Sequence, residues 1–538
     1  MLSDLDPLPE DVRQLKAILW QMRSVIEEKD AALSALQAEY DLANAEIEKL
    51  QFFIKQLQRA QFGRRSEKAD ADQLQLALED LEQSVARAEA AQEAKTAGNG
   101  HGKRTGAARR NRGALPAHLP RLEVLIDVED KTCPCCGGTL HEIGADLAEM
   151  LDVIPAQYRV KVIRRPRYGC RACESAVVQA LAPERPIDGG LATEAMIAHV
   201  LVAKFLDHLP LYRQSQMMER QGLVLDRSTL ADWVGRAGWW LTPLWDRLLG
   251  TVLSSTKVFA DETPVPVLAP GTGQTKTGRL WAYARDDRAW AGSSAPAVAY
   301  VYSADRKGVH PTTHLASFTG VLQVDGYAGF KRLTGEREVG PITLAFCWAH
   351  TRRRLVEFYQ ATGSPIAGEA VRRIAELYAI EAANRGCPPE ERRRVRQEKS
   401  RPKIEAMRTW LDEQLGRVSG KSPLAEAIRY ALRHWDGLRV FLDDGRVDLD
   451  TNTVERTMRP IALGRKNHLF AGSDGGARTW AVIASLLQSA KLNGVEPFAY
   501  LRDILERIVS GTVKAPDLAT LLPWAWKESY GASATVNT

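Results

Sequence analysis

No stretch of this 538-residue sequence approaches the run of about 18 apolar residues that a membrane-spanning helix needs. The opening MLSDLDPLPEDVRQ is acidic and polar, unlike the basic-then-apolar start of a secretory leader. Cysteine is scarce outside one segment: of seven, five fall between positions 133 and 173. An odd, clustered set excludes a secreted disulfide framework and points to a metal site in a reducing compartment, so a soluble cytoplasmic protein is expected. A large excess of one charge is also missing, since the formal net charge is only +5. With 45% hydrophobic and 26% charged residues, the balance is globular rather than disordered.

That small net charge hides an asymmetry. Residues 1–98 hold 12 Lys/Arg against 19 Asp/Glu, a net of −7, which leaves +12 on the remainder. A basic body suits a polyanionic partner. The length exceeds what one hydrophobic core supports and predicts several modules.

The first module spans 1–63. Val12, Leu19, Ile26, Leu33, Tyr40, Ile47 and Ile54 recur every seven residues, followed three later by Leu15, Met22, Lys29, Leu36, Ala43, Leu50 and Leu57. A helix apolar on one narrow seam needs a partner helix, so this a/d pattern predicts a coiled coil that makes the chain a homo-oligomer. Residues 64–116 then run from an acidic helical stretch into GNGHGKRTGAARRNRGALP, a flexible basic linker.

Residues 117–185 carry CPCCGG and CRAC. Cys133 with Cys136, and Cys170 with Cys173, are two CxxC pairs at the spacing of zinc-ribbon knuckles, where four thiolates close a tetrahedron around structural Zn²⁺. Cys135 is a bystander. Between the pairs, DVIPAQYRVKVIRRPRYG alternates as strands do and offers Arg164 and Arg165 to a phosphate backbone. In 186–250, YRQSQMMERQG closes one helix and LVLDRSTLADWVGRAG opens another. Two helices joined by a short glycine turn fit a helix-turn-helix, with Arg227, Ser228 and Thr229 facing a DNA groove; a helical hairpin that merely packs a core has the same pattern.

From Thr256 the texture turns to strands. TKVFAD, GRLWAYAR, AVAYVYS and GVLQVDGY are separated by turn residues, a helix near 307–318 precedes the fourth, and ITLAFCWAH reads as a fifth strand entering a helix. Three hairpin-linked strands, a helix and further strands is the order of an α/β ribonuclease H-like core, assigned here to 251–490. Asp261 ends the first strand and Asp325 the fourth, which such a sheet sets side by side. Glu455 falls in NTVERTMRP, which reads as a helix. Three converging carboxylates repel one another unless divalent cations neutralise them, and hard oxygen ligands suit two Mg²⁺ or Mn²⁺ ions. Arg353, Arg459, Arg465 and Lys466 lie near these acids in sequence or one turn away and are candidate phosphate clamps. The separation of Asp325 from Glu455 implies an all-helical insertion over about 361–440, and a helical segment (491–538) ends the chain.

At this point a family resemblance is visible. FGRRSEK (62–68), the CPCCG and CRAC knuckles, KFLDHLPLYRQ (204–214), ADETPV (260–265), DGYAGF (325–330), CWAHTRRR (347–354), NTVERTMRP (452–460), LGRKNHLFAGSDGGA (463–477) and NGVEPFAYL (493–501) occur in order. Together they resemble the transposases of the insertion sequence 66 family. The resemblance implies DDE roles for Asp261, Asp325 and Glu455, and cleavage and transfer of DNA strands. It also implies recognition of the element's inverted-repeat ends, action on target DNA, small accessory proteins from the same element, and a bacterial, nucleoid-associated location. One departure is visible: where the family usually shows two asparagines before the glutamate helix, this chain has Thr451-Asn452. The alternatives are a non-catalytic DNA-binding regulator and a nuclease of the same fold without strand transfer.

Overall fold

The computed structural model describes residues 180–534 except 270, 271, 273 and 336, together with 157–169, 177–179 and earlier positions 11–13, 16, 19–30, 33, 121–123, 135, 136 and 139. The chain divides into two units, residues 1–163 and 164–538. In the first, residues 19–30 are helical, and Leu19, Met22 and Ile26 of the heptad seam are each more than half exposed. Leu15 and the heptad positions after Leu33 lie outside the described residues, as do 64–116, Cys133, Cys170 and Cys173. Cys136 is described and exposed, in a turn with Cys135. No helix among the described residues is long and apolar enough to cross a membrane.

The second unit opens with a short ladder, β1 (Arg167–Gly169) antiparallel to β2 (Val177–Gln179). This is less strand than the alternating sequence predicts. An extended segment becomes a strand only where a neighbour completes its hydrogen bonds, and residues 157–166 have no ladder partner among the described residues. Three helices follow: α1 (Glu194–Phe205), α2 (Leu211–Glu219) and α3 (Arg227–Leu253). Gly222, at φ +79°, makes the turn between α2 and α3, a conformation costly for residues with a Cβ. α3 is 27 residues long and buries Leu230, Val234, Ala237, Leu241, Leu244 and Leu248, one stripe at helical spacing. It is therefore a core-packing helix with one buried stripe, and Arg227, Ser228, Asp232, Arg236 and Trp239 lie on its exposed side.

Five strands form one mixed sheet: β3 (Lys257–Ala269), β4 (Gln274–Arg285), β5 (Ala297–Ser303), β6 (Gly320–Val324) and β7 (Ile342–Phe346), in the order β5-β4-β3-β6-β7. The first three run antiparallel; β6 joins β3 and β7 joins β6 in parallel. The helix α4 (Val309–His314) lies on the crossover into β6. β3 does not stop at Asp261 as its sequence predicts but continues eight residues to Ala269, through Pro264 and Pro266. The prolines are tolerated because their nitrogens face away from β4: the carbonyl of Pro266 and the amide of Leu268 instead bond Ala471, at 2.9 Å each. A proline on that side removes no ladder bond.

After β7 come α5 (Trp348–Thr362), α6 (Pro365–Ala383), α7 (Pro389–Val395), α8 (Arg401–Arg417), α9 (Pro423–Arg433) and α10 (Trp435–Asp443). They share one core with the sheet, in which Val321 and Ala345 meet Trp348, Leu377, Met407, Ile428 and Phe441. The chain then returns as α11 (Asn452–His468), α12 (Asp474–Leu492), α13 (Pro497–Val509) and α14 (Pro523–Ala534). α12 covers the β5 edge. Its Ser489 and Ser485 hydroxyls accept the outward amides of Val298 and Tyr300 at 3.0 and 2.8 Å, satisfying donors that an edge strand otherwise leaves open.

Candidate active site

The parallel register pairs Phe259 with Gln323. Carried two residues further, it sets Asp261 beside Asp325, where β6 has just ended and β3 runs on. Each carboxylate is oriented by its own main chain: the amide of Glu262 donates to Asp261 Oδ1 at 2.8 Å, and that of Tyr327 to Asp325 Oδ1 at 2.9 Å. Gly326, between Asp325 and Tyr327, has φ +103°, and a Cβ there would meet the Tyr430 hydroxyl at 2.8 Å. That hydroxyl donates to the Asp325 carbonyl, also at 2.8 Å. The turn thus needs glycine for both conformation and space.

Glu455 arrives from 130 residues away in sequence, by a docked connector rather than by α11 alone. The Gln323 side chain, fully buried in β6, donates to the carbonyls of Asp448 and Asp450 at 2.6 and 3.0 Å and accepts the Asp448 amide at 3.2 Å. The Asp448 carboxylate meets Lys257 of β3 and Arg392 of α7, both at 3.0 Å. Arg392 and Arg396 converge on Glu381, and Arg396 also reaches the carbonyls of Phe441, Asp444 and Val447. Trp348 donates its amide to the Leu449 carbonyl at 2.9 Å. The connector is therefore pinned to β3, β6, α5 and α7 immediately before α11 begins.

Within that frame the Thr451 hydroxyl donates to Glu455 Oε1 at 3.0 Å, so the threonine that departs from the family's pattern supports the glutamate directly. His350 Nδ1 lies 3.8 Å and Arg353 Nη2 3.9 Å from the same carboxylate. His350 Nδ1 is buried with no hydrogen bond, and burial holds its ring below the ordinary imidazole value although Glu455 and Asp325 pull the other way. Burial, with the charges of Asp325 and Glu455, raises Asp261 to about 7. Asp450 is raised to about 6, chiefly by burial and also by Asp448 and Glu455. Cys347, His350 and Glu455 bring ligand atoms within 4.8 Å of one another. The pocket thus gathers acids faster than it gathers cations, the electrostatic condition under which a divalent ion binds.

A family model described as "Transposase IS66 family" matches residues 189–479, more than half of the chain, including all five sheet strands and Glu455. The chain belongs to the IS66 transposase family. Its zinc-finger module ("zinc-finger binding domain of transposase IS66") matches residues 130–174, around both cysteine pairs. A model described as "Transposase C of IS166 homeodomain" matches 49–124, and the "IS66 C-terminal element" matches 485–524. Similar chains occur in Sinorhizobium fredii. The uncharacterized protein y4jD is 51% identical over 78% of this chain and 83% of its own length. The uncharacterized protein y4qI is 42% identical over 98% and 99% respectively.

As an IS66 transposase the chain acts on DNA, and its expected DNA contacts fall into two groups. Arg227 and Ser228 are exposed at the start of α3 with Thr229 half-buried beside them; Arg353 and Arg459 are exposed near the acidic cluster, Lys466 is exposed in the last turn of α11, and Arg164 is exposed before β1. The other two bond main-chain carbonyls. Arg165 Nε donates to the Ala180 carbonyl at 2.9 Å, and Arg465 bonds the Pro264 carbonyl, tying α11 to β3. Lys257, Gln323, Asp448 and Asp450 were not singled out by sequence reasoning. The available signal was a lysine and a glutamine interrupting the apolar strands KVFAD and VLQVD.

Proposed function

We propose that this transposase works by a DDE mechanism on a ribonuclease H-like core, with Asp261, Asp325 and Glu455 as the ligands of two Mg²⁺ or Mn²⁺ ions. The observation that carries the reading is Asp261: a strand-borne carboxyl, half-buried beside two further acids and raised to about 7, lacks the positive charge that a divalent ion would supply. Three oxygen donors suit hard cations. When bound, such ions activate the attacking water or 3′-hydroxyl and stabilise the leaving oxygen. The chain's own residues do the positioning. Thr451 orients Glu455, the main-chain amides of Glu262 and Tyr327 orient the two aspartates, and Arg353, Arg459 and Lys466 meet the scissile strand's phosphates. His350, beside Glu455 with an unused ring nitrogen, is placed to hydrogen-bond a phosphate oxygen or water at the cluster.

The same reading gives Cys133, Cys136, Cys170 and Cys173 a structural Zn²⁺. It gives the 1–63 heptads a coiled-coil oligomer, and the zinc module with the first turn of α3 the recognition of inverted-repeat ends, aided by the element's small accessory proteins. Incubation of the full chain with terminal-repeat DNA and Mg²⁺ tests it. The unaltered protein should nick the ends and join them to target DNA, whereas Asp325→Ala should retain end binding and lose cleavage. A chain that shifts the DNA without nicking it is a regulator, and nicking without joined product makes it a nuclease.

A further inference from the structure

On the flank of α11 opposite Glu455, a cavity of about 600 Å³ opens between β4, β5, α11 and α12. Thr453, Arg456 and Thr457 line it at i, i+3 and i+4, which puts them on one helix face and Glu455 on the other. The cavity and the acidic cluster are therefore separated by one helix diameter, about 10 Å. Its charged lining divides sharply. Arg288 is held by Asp286 at 2.7 Å, and Arg285 by the Ala295 carbonyl at 2.9 Å. Arg385, Arg456 and Lys491 line the opening with no ion pair or side-chain hydrogen bond among the described residues, and Arg456 alone of the three also feels a carboxylate, that of Asp450.

A second observation is independent of charge. Gln488 of α12 lines the floor, is only 7% exposed, and its amide has no hydrogen-bond partner among the described residues. A buried amide is ordinarily paired, and one facing a cavity is completed by whatever fills it. An amide offers a donor and an acceptor side by side, the pattern that pairs with the edge of a nucleobase. Cations at the mouth and an amide at the floor match a phosphorylated nucleoside, and the volume falls within the range of small-molecule sites.

We propose that this cavity binds a nucleotide, phosphate against Arg385, Arg456 and Lys491 and base against Gln488. Resting on the transposase reading, the source of that nucleotide is the DNA end itself, with one residue turned out of the duplex one helix away from the cleavage site. Enzymes that bend or open a DNA end gain by giving the displaced base a pocket.

The experiment has two arms, both with the full chain. In the first, 2-aminopurine is placed at successive positions of terminal-repeat DNA, bound with Ca²⁺ in place of Mg²⁺. One position should brighten severalfold, and Gln488→Met or the exposed pair Arg385→Ala/Lys491→Ala should abolish the signal. In the second, free dAMP is titrated calorimetrically, and the paired alanine variant should bind it roughly tenfold more weakly. A response in the first arm assigns the cavity to DNA, and one in the second alone assigns it to a free nucleotide. Silence in both, or responses unchanged in variants that melt like the unaltered chain, overturns the proposal. Nicking of the same DNA by the unaltered chain is scored separately, so failure of the transposase reading is distinguishable from failure of the pocket.

Discussion

Asp261 sits where its charge is least welcome, and its position makes a stability prediction as well as a catalytic one. An acid whose pKa rises on folding, here from an ordinary 3.8 to about 7, binds its proton more tightly in the folded state. Ionising it therefore costs stability, and the cost grows as pH rises through that window and is constant above it. Asp261→Asn should raise the melting temperature of the metal-free protein at pH 8, with the gain shrinking steadily as pH falls toward 4. Mg²⁺ should stabilise the unaltered chain at pH 8 and leave the asparagine variant unmoved. Thermal melts with and without Mg²⁺ at several pH values check both, and equal Mg²⁺ responses would remove Asp261 from the metal site.

At the scale of elements, the connector 447–451 decides where Glu455 points. Gln323→Leu keeps the volume in β6 but removes three hydrogen bonds to that connector. It should lower the cleavage rate on the order of 10²-fold while end binding is kept, the penalty for misplacing a reacting group by about 1 Å. The Asp448 pair beneath it is structural. Burial alone would raise its carboxyl, but Lys257 and Arg392 hold it below the ordinary value. Its contribution is therefore complete above about pH 4 and is lost as pH falls further. Asp448→Asn leaves Lys257, 1% exposed, without its ion-pair partner, and should destabilise the fold by about 3 kcal/mol in urea titrations at pH 7. The difference from the unaltered chain should narrow in acid.

Across the whole molecule, the proposed function gives DNA recognition to the zinc-finger module at 130–174 and catalysis to the acidic cluster more than 80 residues later. Cys136→Ser should separate these tasks. Structural zinc contributes on the order of 10 kcal/mol to small modules of this kind, so the variant should lose its zinc and expose the 130–174 region to protease. The sheet unit should keep its own melting transition. Metal analysis and limited proteolysis read the two effects, and a variant that retains full zinc would remove Cys136 from the ligand set.

Local pattern determined much of this protein. Apolar runs ended by acids located β3 and β6, helical spacing located helices between 361 and 440, and the cysteine spacing marked out the zinc module, because these depend on neighbours within a few residues. Pro264 and Pro266 place the end of β3 at Asp261 in the sequence, because prolines normally stop a strand; only the fold shows that their nitrogens face away from β4. Likewise, the lysine and glutamine in KVFAD and VLQVD carry no meaning until Asp448 arrives from more than 120 residues away to meet them. Tertiary structure alone decided which buried polar groups have partners. It also decided which do not, leaving Gln488 and His350 Nδ1 open, since the cost of burying a polar group is set by what the fold brings to it rather than by its place in the chain.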